Sequence, residues 1–105
     1  MAGIIMGNTQ ALGVISVTLS PAQVAANTTA EQTFTVPGLK TGDFVDVNKP
    51  TAQAGLGLAG VRVSAANTLA ITFSNNTASP ITPTASEIYS VQYTRPDSTQ
   101  TGVVA

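Results

Sequence analysis

Apolar and polar residues alternate one by one through six short stretches of this sequence, and each stretch is followed by a proline or an asparagine. A period of two marks a half-buried β-strand, whereas a helix needs recurrence near 3.6 residues. The first stretch runs from Val14 to Leu19, with Ile15, Val17 and Leu19 on one face and Pro21 beyond it. The second, Ala30 to Val36, sets Phe34 and Val36 against Thr33 and Thr35 and stops at Pro37-Gly38. The third, Asp43 to Asn48, puts Val45 and Val47 on one face and Asp46 and Asn48 on the other, before Pro50. Leu58 to Ser64 turns Val61 and Val63 inward and Arg62 outward. Thr68 to Ser74 turns Leu69, Ile71 and Phe73 inward, and Glu87 to Thr94 does the same with Tyr89, Val91 and Tyr93, closing at Pro96.

Strands this short and this regularly punctuated predict an all-β domain, an antiparallel β-sandwich of about six to eight strands, either Ig-like or jelly-roll-like. The sandwich is expected over residues 13–95, with an N-terminal arm over 1–12 and a C-terminal tail over 96–105. Thr51 to Gly57 reads as a small-residue connection with room for a short helical turn, and Asn75 to Thr84, with its two prolines, as an exposed surface loop. Ala25-Ala26-Asn27-Thr28 recurs as Ala65-Ala66-Asn67-Thr68, each ahead of a Thr-Phe pair. Asparagine tolerates the left-handed conformation, so both copies read as turns. The extra residue between Asn27 and Phe34, relative to Asn67 and Phe73, predicts a bulge in the earlier strand.

The side chains available for chemistry are few. The chain has no His and no Cys, which excludes His-based triads, thiol nucleophiles, disulfides and ordinary zinc sites. The carboxylates are Glu31, Asp43, Asp46, Glu87 and Asp97. Asp43 and Asp46, an odd number of positions apart, point to opposite faces of a strand and read as solvated charges. A calcium site built on them lacks a ligand-dense loop. Gly55-Leu56-Gly57-Leu58-Ala59-Gly60 matches the letters of a dinucleotide-binding turn, but it runs into the alternating Val61-Arg62-Val63-Ser64 and not into a helix. Asn27-Thr28-Thr29 and Asn75-Asn76-Thr77 match the glycosylation sequon, yet Met1 to Gln10 lacks the charged and long apolar regions of a signal peptide. These features together predict a protein that is not an enzyme and needs no cofactor or metal.

Charged residues make up only 9% of the chain, and the net charge is −1. The cations Lys40, Lys49, Arg62 and Arg95 are too few and scattered to hold a nucleic-acid backbone. No apolar run approaches the roughly 18 residues of a membrane-spanning helix. Polarity comes instead from Thr, Ser, Asn and Gln, a surface with little charge repulsion that suits close packing into an assembly. Apolar residues outside the expected sandwich, with Leu56 in its small-residue connection and Leu58 at the start of the strand that follows, are the candidate subunit and surface contacts: Ile4, Ile5, Met6, Leu56, Leu58, Val103 and Val104.

From Val17 to Tyr93 the chain resembles a family of small β-rich phage virion proteins found among head-decoration, head-fibre and tail-fibre components. The resemblance lies in Thr33–Leu39 (TFTVPGL), Gly42–Pro50 (GDFVDVNKP), Val63–Asn75 (VSAANTLAITFSN) and the proline-containing loop before the last strand. It implies a sandwich or jelly-roll-like fold and a place on a particle surface. The expectation is a capsid decoration (cement) protein, made in the host cytoplasm, that binds the major capsid protein on the outside of a head. It would act as a homo-oligomer, with a trimer favoured by local three-fold lattice positions. The alternative is an adhesion or carbohydrate-binding module of a head fibre or tail, meeting a glycan through Asn75 to Thr84.

Overall fold

The computed structural model describes residues 9–97, and there each alternating stretch is a strand. They are β1 (Thr9–Leu19), β2 (Thr28–Thr35), β3 (Phe44–Asn48), β4 (Leu56–Ala65), β5 (Thr68–Asn75) and β6 (Glu87–Pro96). They form two three-stranded antiparallel sheets, β1-β6-β3 and β2-β5-β4. Every connection crosses between the sheets except the β4–β5 hairpin. With β6 between β1 and β3, and β5 between β2 and β4, the order is that of a jelly roll shortened by two strands.

The core lies between the sheets: Leu19, Val24, Val36, Leu39, Leu69, Ile71, Phe73, Tyr89 and Val91. More than half of it comes from β5 and β6, because a middle strand is shielded on both sides while an edge strand keeps one flank in water. Ile15, Val17, Phe34, Val45 and Val47 pack onto this cluster from the edges.

β1 begins at Thr9, so residues 9–12, expected in an arm, belong to the sheet, with Ala11 opposite Arg95 and Leu12 opposite Thr94. The alternation is faint here because its inward positions are Ala11 and Gly13. Gly13 is small for a reason: a Cβ there would lie 2.7 Å from the Tyr93 ring, which covers the strand.

The repeated Asn residues are turns. Asn27 and Asn67 have φ of 51° and 59°, and in each copy the following threonine hydroxyl bonds the carbonyl two residues back, Thr28 to Ala26 and Thr68 to Ala66. The expected bulge is absent, for β2 pairs with β5 without a break from Thr28–Asn75 to Thr35–Thr68. Thr28 leaves its turn on the core side and Thr68 on the outer side. The one-residue offset therefore preserves the inward setting of both phenylalanines.

No helical turn forms over Thr51–Gly57; Gln53 and Leu56 close a turn there, with Gly55 at φ 80°. The 75–84 segment is largely exposed, as expected, but it is pinned to the sandwich. Val24 and Ile81 exchange backbone hydrogen bonds of 2.8 and 3.0 Å, Pro83 is buried, and the Gln53 amide bonds the Thr82 carbonyl and the Thr84 N–H. A side-chain amide with both donor and acceptor mimics a strand neighbour, and this one straps the segment across the sandwich.

The Tyr89 hydroxyl is buried with no hydrogen-bond partner among the described residues. Burial, and then the nearby Glu87 charge, push its ionisation up to about 12. Because an unpaired buried hydroxyl is unfavourable, Tyr89→Phe is expected to leave stability unchanged or raise it by about 1 kcal/mol in urea unfolding. Unfolded tyrosine ionises near 10.0, so the native protein loses stability above that pH, and the variant should lose less.

Candidate interaction surface

Among the described residues, the large hydrophobic side chains that stand in solvent are Leu12, Val14, Phe44 and Ile88, each 59–67% exposed. All four lie on the outer face of the β1-β6-β3 sheet. Register sets them in rows. Leu12, Thr94 and Phe44 form one row, and Val14, Gln92 and Asp46 the next. Ser16, Ser90 and Asn48 follow, and Thr18 with Ile88 completes the face. Leu12 and Phe44 therefore flank Thr94 about 10 Å apart, two strand spacings. Asp46 is the one charged side chain in these rows.

The opposite face of the sandwich has another character. Thr29, Glu31, Thr33 and Thr35 of β2 lie beside Ser74, Thr72, Ala70 and Thr68 of β5. Arg62 of β4 reaches over β5 to grip Glu31 through two hydrogen bonds of 2.8 and 2.9 Å. That grip holds the Glu31 carboxyl below its ordinary value. Both partners are substantially exposed, so the pair adds little stability in water. It does cover the sheet: Ala70 beneath it is fully buried. One outer face is thus closed by threonines and an ion pair, and the other carries four exposed apolar side chains set among Thr, Ser, Gln, Asn and Asp46.

Two further ion pairs close the ends of the first sheet. At one end Arg95 holds Asp43 through bonds of 2.9 Å to each carboxylate oxygen. At the other, Lys49 lies 3.0 Å from Glu87, whose second oxygen accepts a 2.5 Å hydrogen bond from Thr51. The Thr51 hydroxyl, and after it Lys49, outweigh burial and hold the Glu87 carboxyl below its ordinary value.

These pairs leave little for catalysis or metal binding. Asp43, expected as a solvated charge, is buried in the turn before β3, because its carboxylate is committed to Arg95 and to the Lys40 N–H. Asp46 lies exposed on the outer face, so the two acids do not converge. Among the described residues no cluster of three or more His, Cys, Asp or Glu side chains comes together. The glycine-rich run falls in β4, where Gly57 and Gly60 face open space. With Gly55, Leu56, Ser74 and Asn76 it borders only a shallow depression of about 280 Å³.

Of the contact residues expected from sequence, Ile4, Ile5, Met6, Val103 and Val104 lie outside the described residues. Leu56 and Leu58 are half-buried and pack against the chain's own core. Leu12, Val14, Phe44 and Ile88 were legible only in part: alternation puts Phe44 opposite Val45 and Val47, but nothing local brings it beside Leu12. Comparison with protein-family models, with curated proteins and with solved structures finds no match to this chain.

Proposed function

We propose that this chain is a structural virion protein that decorates the outer surface of a phage head and stabilises it by binding the major capsid protein as a homo-oligomer. The observation that carries this reading is the gathering of Leu12, Val14, Phe44 and Ile88 on one face of a two-faced slab. Leu12, Val14 and Phe44 fall in two adjacent rows at one end of that face, with Ile88 two rows beyond, and large apolar side chains grouped in solvent mark a surface that is covered in use. Decoration needs no chemistry, and six of the nine charged side chains are paired with one another. The resemblance of the Thr33–Leu39, Gly42–Pro50 and Val63–Asn75 segments to phage virion proteins supplies the kind of surface covered. Many copies, each weakly held, would together resist internal pressure through multivalent contact.

The test is cosedimentation of the purified chain with phage heads stripped of it. Phe44→Ser with Ile88→Ser should lower head binding at least about tenfold, the effect of losing some 1.4 kcal/mol of apolar contact. Unfolding free energy should change by less than about 0.5 kcal/mol, since both positions are solvent-facing. Equal binding by the double variant sinks the proposal.

The exposed Phe44 ring, with Asp46 and Gln92 in the adjoining row, favours a second reading: a carbohydrate-binding module of a head fibre or tail, using this face and not the strapped 75–84 segment. Glycan-array binding that Phe44→Ala abolishes, without head binding, selects it.

A further inference from the structure

Three of the chain's four cations are engaged within it: Lys49 by Glu87, Arg62 by Glu31 and Arg95 by Asp43. The fourth, Lys40, lies in the turn before β3 and is in no ion pair among the described residues. Asp46 is the acid left over on the apolar face. It stands exposed in the middle of β3, two positions from Phe44 and therefore about 7 Å from it along the same face. Register sets Asp46 beside Gln92 with Val14 beyond, and Leu12, Thr94 and Phe44 in the adjoining row. Its hydrogen bond is local: Oδ1 accepts the Val47 N–H at 3.0 Å. Among the described residues no cation pairs with this carboxylate. Residues 1–8 and 98–105 contain no Lys or Arg, so no side chain there supplies one.

A surface laid over these apolar side chains also takes water from the carboxylate among them. A covered charge is costly unless an opposite charge meets it. We infer that the surface docking on the β1-β6-β3 face presents a lysine or arginine side chain, set among apolar groups, that pairs with Asp46. The inference rests on the decoration reading and deepens it, by stating the chemistry of the capsid-protein surface that this face fits. Apolar contacts supply area with little direction. A single charge at a fixed place among them sets the docking register, because a copy seated out of register leaves the carboxylate and the cation both covered and unpaired.

The test is binding of the full chain to phage heads stripped of it, across a salt series from about 20 to 500 mM. Asp46→Asn keeps an oxygen for the Val47 N–H and removes only the charge. The outcome differs in sign with the partner. Facing a cation, Asp46→Asn should bind at least about tenfold more weakly at low salt, and salt should weaken its binding less than that of the native chain. Facing none, the variant sheds a charge that docking would cover, and binding stays equal or tightens; that result overturns the inference. Asp46→Lys sets like charges together and should lose about a hundredfold or more, while Asp46→Glu retains most of the affinity. Urea unfolding midpoints check that each variant folds. Phe44→Ser with Ile88→Ser should weaken binding and leave its salt dependence in place. A native chain that does not bind heads overturns the decoration reading and this inference together, whereas one that binds and tolerates Asp46→Asn overturns the inference alone. Glycan binding that Asp46→Asn abolishes and salt leaves unchanged assigns the carboxylate to sugar hydroxyls and overturns it. So does self-association without heads that both Asp46→Asn and Lys40→Gln abolish, which assigns the cation to a second copy.

Discussion

Asp43→Ala is expected to lower the unfolding free energy by about 3 kcal/mol, the lower end of the cost of breaking a buried ion pair. The Asp43 side chain is 1% exposed and that of Arg95 16%, so the stranded guanidinium regains some water and the full penalty is not reached. More than the pair is lost. Asp43 also accepts the Lys40 N–H at 2.9 Å, and Arg95 bonds the Gly38 carbonyl at 2.7 Å while stacking over Tyr93. One carboxylate therefore ties the β2–β3 connection to the end of β6. Hydrogen bonds from Arg95, outweighing burial and aided by the Lys40 N–H, hold the Asp43 carboxyl below its ordinary value of 3.8. A depressed carboxylate contributes its full stabilisation above the unfolded value and loses it as pH falls through the folded one. Urea unfolding curves of the native protein and Asp43→Ala should thus lie farthest apart near neutral pH and approach one another as the pH falls below 3.8. Glu31 and Glu87, lowered in the same direction, keep some acid dependence in the variant. A gap that stays constant with pH would show that Asp43 acts through packing and not through charge.

That role is not visible along the chain, because Asp43 and Arg95 are 52 positions apart and no local pattern links them. The strands were legible because alternation is local. All six appear where alternation places them, with ends moved by a few residues at Gly13, where a missing side chain hides the period, and at Pro96, which is accommodated as the last residue of β6. Sheet order is a long-range property. Leu12, Thr94 and Phe44 become a row only when β6 inserts between β1 and β3. The candidate surface was correspondingly out of reach, although outward Phe44 could be read from Val45 and Val47. Leu56 and Leu58 mislead for the opposite reason. Glycines and alanines around them resemble a loop, but Leu56 and Leu58 lie in β4 and turn toward the core.

Asn75→Ala is expected to cost a further case of about 3 kcal/mol, the sum of one or two buried polar groups left unsatisfied at roughly 1–3 kcal/mol each. Asn75 ends β5, 2% exposed, between Thr28 and Leu56 on the neighbouring strands. Its Nδ2 donates to the carbonyls of Val24 and Ala25 at 3.2 Å and of Ser79 at 2.8 Å. Its Oδ1 accepts the Thr77 N–H at 2.9 Å and the Thr77 hydroxyl at 2.7 Å. Alanine strands the Ala25 carbonyl and the Thr77 amide, in a place where water does not reach Asn75, whereas the Val24 carbonyl keeps the Ile81 N–H at 3.0 Å and the Ser79 carbonyl keeps the Thr77 hydroxyl at 2.9 Å. Thr77 is also confined from outside, since its methyl group fills the space beside Gly55 that a Cβ would need. Freed of Asn75, the 75–84 segment loses its inner anchor and keeps the Val24–Ile81 bridge, the Gln53 strap, and the backbone bonds from Asn27 to the Thr77 carbonyl and from Asn76 to the Gly55 carbonyl. Hydrogen exchange at the Val24 and Ile81 amides should accelerate in the variant even under conditions where the strands remain folded. Asn75→Asp tests the donor alone: it keeps the Thr77 bonds but sets a carboxylate against three carbonyls, and should destabilise at least as much above its own pKa. A loss below about 1 kcal/mol in both variants, with exchange unchanged, would mean that the segment is held by its backbone bridge and that the buried amide merely fills space.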